Sequence, residues 1–165
     1  MARWVPARVD VIGEIADEVL HNYRRGRAIV GVDGIPGAGQ SRFADDLASA
    51  LVDRGAVAYR ASVDSAADAR GETLRAQQIE PFRRGDDPFA DHGDAILVID
   101  GTRLHGPDLI PVFVYTVWLS RPGLELGPDD GQDRYEKRAA PRVRATANID
   151  ATDPEHPRRT FADSC

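Results

Sequence analysis

Residues 28–48 read Ala-Ile-Val-Gly-Val-Asp-Gly-Ile-Pro-Gly-Ala-Gly-Gln-Ser-Arg-Phe-Ala-Asp-Asp-Leu-Ala. An apolar strand over 28–32 runs into a glycine-rich turn. The turn runs into an amphipathic helix carrying Phe43, Leu47 and Leu51. Gly34, Gly39 and Ser41 match the pattern G-x-x-x-x-G-K-[ST], with Gln40 where the lysine belongs. Glycines 34, 37 and 39 permit positive φ and close backbone approach to a ligand. Successive N–H groups there can form an anion-binding nest, and the helix after the turn adds its positive dipole end. The candidate anion-binding set is Gly34, Gly37, Ala38, Gly39, Gln40 and Ser41. Ser41 is also placed to ligate a magnesium ion held between phosphates. The plainer alternative is a turn that only links a strand to a helix.

The rest of the chain fits a single domain over 1–165, since this length buries a substantial core. Apolar residues make up 42% of it, as in globular proteins. The net charge of −6 argues against a nonspecific nucleic-acid partner. Lys137 is the sole lysine, so almost none is available to replace the missing one. The only cysteine, Cys165, excludes an intrachain disulfide and a cysteine zinc site. Acidic residues at 10, 14, 17 and 18 leave no signal-peptide core, and no run reaches transmembrane length, so a cytoplasmic location without membrane contact is expected.

Val5, Val9, Ile12, Ala16, Val19 and Tyr23 recur at three- and four-residue steps, which predicts an N-terminal helix within 1–26. Further strands are expected at 56–62, 95–99, 112–119 and 143–149. Helical signal lies at 66–78, then Pro81, Gly85, Pro88 and Gly93 break the stretch up to 94, and a short helix is expected at 132–140. The segment 150–165 reads as an extended, partly mobile tail. Strands alternating with helices predict an α/β fold, a doubly wound parallel sheet of about five strands with helices on both faces and ligand at the strands' carboxyl ends.

Taken in order, these segments resemble the uridine-kinase-like branch of the P-loop kinases, close to phosphoribulokinase. Residues 30–41 resemble the family's loop. Arg60-Ala-Ser-Val-Asp64 resembles its second strand, and Ile96-Leu-Val-Ile-Asp-Gly-Thr-Arg-Leu-His105 its third strand and the turn after it. Val114–Leu119 matches the next strand, and Asn148-Ile-Asp-Ala-Thr-Asp-Pro154 resembles a segment near the nucleotide base. The departures are Gln40, the Ser-Ala-Ala after Asp64, a short substrate insertion and a short lid over 122–142.

The resemblance implies ATP and Mg²⁺ as cofactors, and a nucleoside or similar small hydroxyl compound as phosphoryl acceptor. Asp64 would orient or deprotonate the acceptor, or else cap a turn. Asp100 would act at the same centre and, with Ser41, hold magnesium. Asp33 is a further candidate near the metal. Arg134 and Arg138, continued by Arg142, are spaced four apart where a lid would lie, and arginine clamps phosphate bidentately. The same row also suits a solvated helix face. Arg103 and His105 would line the cleft, although a surface histidine is an equal reading. Phe82 and Phe89 are expected in packing rather than base stacking, and His92, His105 and His156 lack metal spacing.

Three functions stay open at this point: an ATP-dependent kinase whose activity Gln40 weakens, a catalytically inactive relative that binds nucleotide or protein, and a binder of another phosphorylated small molecule. Self-association is also left open.

Overall fold

The computed structural model describes residues 5–63, 67–68, 70–90, 92–125, 127 and 131–161. Helix α1 (Arg8–Tyr23) leads into β1 (Arg27–Gly34), the glycine-rich loop and α2 (Gln40–Asp53). Then come β2 (Ala58–Ser62), α3 (Glu72–Leu74), a π-helical stretch at Arg75–Ile79, α4 (Glu80–Arg84) and β3 (Ala95–Asp100). A 3₁₀ turn at Ile110–Val112 precedes β4 (Tyr115–Ser120). The chain closes with α5 (Gln132–Ala139), α6 (Pro141–Arg144), β5 (Ala147–Asp150) and β6 (Arg158–Thr160).

The sheet runs β2-β3-β1-β4-β5-β6 and is parallel except at its last pair. The α/β class expected from alternating strands and helices is therefore the one observed. Strands β1, β3 and β4 read as near-continuous apolar runs because both faces are covered. Side-chain alternation divides them between two cores. Val30, Val32, Val98 and Val117 pack under α1 and α2, whereas Ile29, Leu97 and Ile99 pack with Phe82, Phe89 and Leu104 on the other side. Phe82 and Phe89 meet edge to face at 5.5 Å, so both are core residues.

Four local expectations change. The buried stripe of α1 is Val11, Ile12, Ile15, Ala16, Val19 and Leu20, while Val9 is 74% exposed. A helix beside α2 needs a stripe wide enough to face both α2 and the sheet, which a strict three-and-four count underestimates. Pro81 does not break its helix: it stands in the first turn of α4, directly after the π-helical stretch. Residues 143 and 144 belong to α6, so the fifth strand starts at Ala147.

The fourth change is the segment from 150 onward. It turns back through Asp150, whose Oδ1 accepts from the Thr152 amide at 2.9 Å, and adds β6 antiparallel to β5 with Ile149 opposite Arg159. Glu18 of α1 takes Arg159 Nη2 at 3.0 Å and the Tyr115 hydroxyl at 2.7 Å, and the Arg8 amide donates to the Glu155 carbonyl at 2.8 Å. Those bonds tie the tail to α1. Among the described residues no helix is long and apolar enough to cross a membrane.

Candidate functional site

Strands β1 and β4 are neighbours, but the chain leaves β1 toward β2 and leaves β4 toward β5, on opposite sides of the sheet. Such a switch point opens a crevice at the strands' carboxyl ends. The glycine-rich loop fills it. The Ile35 amide donates to the Leu119 carbonyl at 3.1 Å, which fastens the loop to the end of β4. A Cβ on Gly34 would lie 2.7 Å from that carbonyl, so only glycine fits there. Gly37 and Gly39 take φ of 82° and 90°, turning the chain into α2. Among the described residues, the amides of Gly37, Gly39, Gln40 and Ser41 donate no hydrogen bond within the protein, whereas that of Ala38 closes a turn onto the Ile35 carbonyl at 3.1 Å. An anion at the start of α2 would meet that free set.

Gln40 does not extend from the loop as a lysine substitute. Its side chain is buried and folds back, with Nε2 donating to the Ile35 carbonyl at 2.9 Å. It braces the turn from inside.

The fold brings Ser41 and Asp100 together: Ser41 Oγ donates to Asp100 Oδ2 at 2.6 Å. The other carboxylate oxygen accepts from Ser62 Oγ at 2.5 Å and from Arg60 Nη2 at 2.7 Å. Burial alone would raise the Asp100 pKa, but the bonds from Ser41, Ser62 and Arg60 outweigh it and hold the carboxyl below its usual value. Ser41 and Asp100 supply the hard oxygen ligands that magnesium takes. As they stand, however, they fit a directly bound ion poorly, because Oδ1 is filled by two donors, Oδ2 is shared with the Ser41 hydroxyl and a guanidinium already offsets the charge.

Asp33, the residue before the loop, faces the protein interior rather than a metal position. Its Oδ1 accepts from the Gly34 amide at 2.8 Å. Its Oδ2 accepts from the His105 amide at 3.1 Å, from the Tyr135 hydroxyl, and lies 2.7 Å from His105 Nδ1. His105 Nε2 lies 3.0 Å from Thr116 Oγ1. With Asp33 ionised, the network puts the proton on Nδ1 and lets Nε2 accept from the threonine hydroxyl. The side chains of Asp33 and His105 are fully buried, so His105 is a core histidine and not a surface one. Burial, then the Asp33 charge, push the Tyr135 hydroxyl far above its usual pKa, which keeps it a donor.

Of the predicted arginines, Arg134 and Arg138 are exposed on α5. Arg142 belongs to α6, beyond a break at Ala140 where φ is 45°. The row is therefore not one continuous helix face. The Arg103 guanidinium lies beside Gly131 at the start of α5. Asp64 lies outside the described residues. A cavity of about 220 Å³ opens past the end of β2, lined by Ser62, Asp68, Thr73, Gln77 and Gln78. A larger one of about 650 Å³ lies between α1 and α2, lined by Arg8, Ile12, Asp46, Asp53 and Glu155 among others, with no residue of the glycine-rich loop. Size does not make it the functional site, because the unbonded amides are elsewhere. Arg60, Tyr135 and Thr116 escaped sequence reading: each acts through a partner at least 11 residues away.

No protein-family model and no curated protein matches the sequence. Among solved structures the fold is similar to that of a protein described as a possible uridine kinase from Bacillus stearothermophilus. The TM-score is 0.61 and identity 17%, with 86% of this chain and 96% of that one covered. A candidate fructose transport system kinase from Silicibacter sp. TM1040 matches at a TM-score of 0.43 and 23% identity, over 77% of this chain and 80% of that one. The chain thus shares the α/β fold of that possible uridine kinase.

Proposed function

We propose that this chain binds the phosphates of a nucleotide at the loop 34–41, on a scaffold of the uridine-kinase type, and that phosphoryl transfer is slow. The observation that carries this reading is the set of unbonded amides at Gly37, Gly39, Gln40 and Ser41, at a switch point and at the start of a 14-residue helix. A charge-assisted contact to a transferring phosphoryl is worth about 2–4 kcal/mol, or roughly 10²–10³ in rate. Gln40 cannot supply it while bonded to Ile35. Ground-state binding relies more on backbone amides and suffers less.

In the kinase form of this reading, Asp64 orients a hydroxyl acceptor placed in the cavity beyond β2. Thr73, Gln77 and Gln78 there suit a neutral polar molecule such as a nucleoside. The tie between Gln40 and Ile35 favours a second form, a nucleotide-binding relative without transfer. Binding of another phosphorylated small molecule remains the third.

The test is calorimetric titration of MgATP into wild type and Gln40→Lys. Micromolar binding by wild type, little changed by the lysine, supports the loop as it stands and directs the search to uridine and cytidine as acceptors. Transfer to either that is lost in Asp64→Asn supports the kinase form. Binding only by Gln40→Lys supports the inactive relative. No binding by either refutes the nucleotide reading.

A further inference from the structure

We infer that Arg60 takes the place of the divalent cation at this site, so that the loop binds phosphate without magnesium. The inference rests on the reading of the loop as a phosphate site and goes on to say which charge state of the ligand it takes.

Register creates the arrangement. In the β2–β3 pair, Ser62 stands opposite Asp100 and Arg60 opposite Val98. Ser62 and Arg60 are two apart on one strand and so project from one face, toward the carboxylate. Arg60 is also held along its whole fork. Nε donates to Asp45 Oδ1 at 2.8 Å, and Nη1 to the carbonyls of Ala61 and Val98, each at 2.9 Å. Its guanidinium is a fixed part of the sheet edge, and its fork geometry suits bidentate and multiple acceptors.

Asp100 itself is only 4% exposed. A buried carboxylate needs a counter-charge, and in this chain the counter-charge is covalently built in. Magnesium takes near-octahedral oxygen ligands and gives up its waters reluctantly. To be ligated by Asp100 it would have to share Oδ2 with the Ser41 hydroxyl, or displace Ser62 and Arg60 from Oδ1, and in either place sit beside a guanidinium. Among the described residues no group of three or more His, Cys, Asp or Glu side chains offers a metal an alternative seat. With Asp100 already neutralised, a phosphate at Ser41 does not face an uncompensated carboxylate, which is the repulsion a metal would otherwise cancel. Asp45 shares the guanidinium from its exposed side, where solvent screens it.

The test has two arms. In the first, ATP is titrated calorimetrically into wild type and Arg60→Met, in magnesium and in excess EDTA. The expected wild-type affinities agree within about threefold, and Arg60→Met weakens at least about tenfold in EDTA while recovering in magnesium. A wild-type affinity that falls tenfold or more in EDTA overturns the inference. Equal binding by Arg60→Met in both buffers also overturns it. Arg60→Lys, which keeps the charge, is expected to retain EDTA binding, and its loss would count against the charge argument.

The second arm needs no nucleotide. Mn²⁺ binding is followed by electron paramagnetic resonance in wild type, Arg60→Met and Asp100→Asn. Wild type is expected to hold no ion at this site, and Arg60→Met to gain one. Tight Mn²⁺ binding by wild type that disappears in Asp100→Asn overturns the inference. Silence toward ATP in both buffers, with the expected Mn²⁺ result, removes the phosphate reading and leaves the Arg60–Asp100 assignment standing.

Discussion

Asp33→Asn is the change whose cost the structure defines most fully. The carboxylate accepts four donors, three of them buried and the fourth partly so: the amides of Gly34 and His105, His105 Nδ1 and the Tyr135 hydroxyl. An asparagine of the same shape keeps one acceptor oxygen and turns an N–H₂ toward donors. If the oxygen is kept toward Oδ2, the Gly34 amide faces the N–H₂. If it is kept toward Oδ1, His105 and Tyr135 do. Either way at least one donor is orphaned and the remaining bonds to a charged acceptor become bonds to a neutral one, at about 3–5 kcal/mol. For a chain of this size the melting temperature should fall by roughly 6–20 °C. Tyr135→Phe removes one donor and leaves the other three, so its cost should be about 1–2 kcal/mol. Because the two side chains bond directly, the double variant should fall short of the sum by 0.5 kcal/mol or more, as an order of magnitude. Urea and thermal unfolding by circular dichroism measure all four proteins. An Asp33→Asn protein melting within about 2 °C of wild type, or strictly additive costs, would refute the view that this network joins α5 to the loop.

Three further outcomes rest on the same geometry. Gly34→Ala should destabilise by about 2 kcal/mol or more, since its Cβ meets a backbone carbonyl at 2.7 Å, and calorimetric melting would show it. Glu18 is held below its ordinary pKa of 4.5, first by its bond from Arg159, so its contribution to stability is present above that value and is lost as pH falls through the lowered one. Urea midpoints of wild type and Glu18→Gln should therefore differ near neutrality and converge in acid; a constant gap from neutral pH to pH 3 would contradict this assignment. Deleting residues 150–165 should cost far more than fraying predicts, because β6, Arg159 and Glu155 go with it; unchanged melting would return the segment to the status of a loose tail.

What was legible in the sequence was local. The strand, loop and helix over 28–53 arise from a run of apolar residues, glycines at fixed offsets and a helical stripe, all within one supersecondary unit. Ser41 and Asp100 were legible as a pair through the resemblance, and they do meet. What stayed hidden depends on separation along the chain. Arg60 reads as one arginine among many until register places it beside Asp100, 40 residues on. His105 looks like a surface residue because nothing nearby announces Asp33, 72 residues back, or Tyr135, 30 residues ahead. The hairpin to β6 was hidden because three residues carry too little pattern to register as a strand, and its anchor, Glu18, lies 141 residues from Arg159. The inward fold of Gln40 was hidden as well, since the same side chain could equally have pointed at a ligand.

The central claim is that the amides of the loop 34–41 receive phosphate. Amide proton–nitrogen spectra of the ¹⁵N-labelled protein, recorded while ATP is added, test it at the atoms concerned. The account predicts saturable, downfield shifts concentrated at Gly37, Gly39, Gln40 and Ser41, with smaller changes at Ser62 and Gly101. Shifts that fall elsewhere, for instance along the α1–α2 cavity at Arg8 and Ala50, or no shifts at saturating ATP, would contradict it.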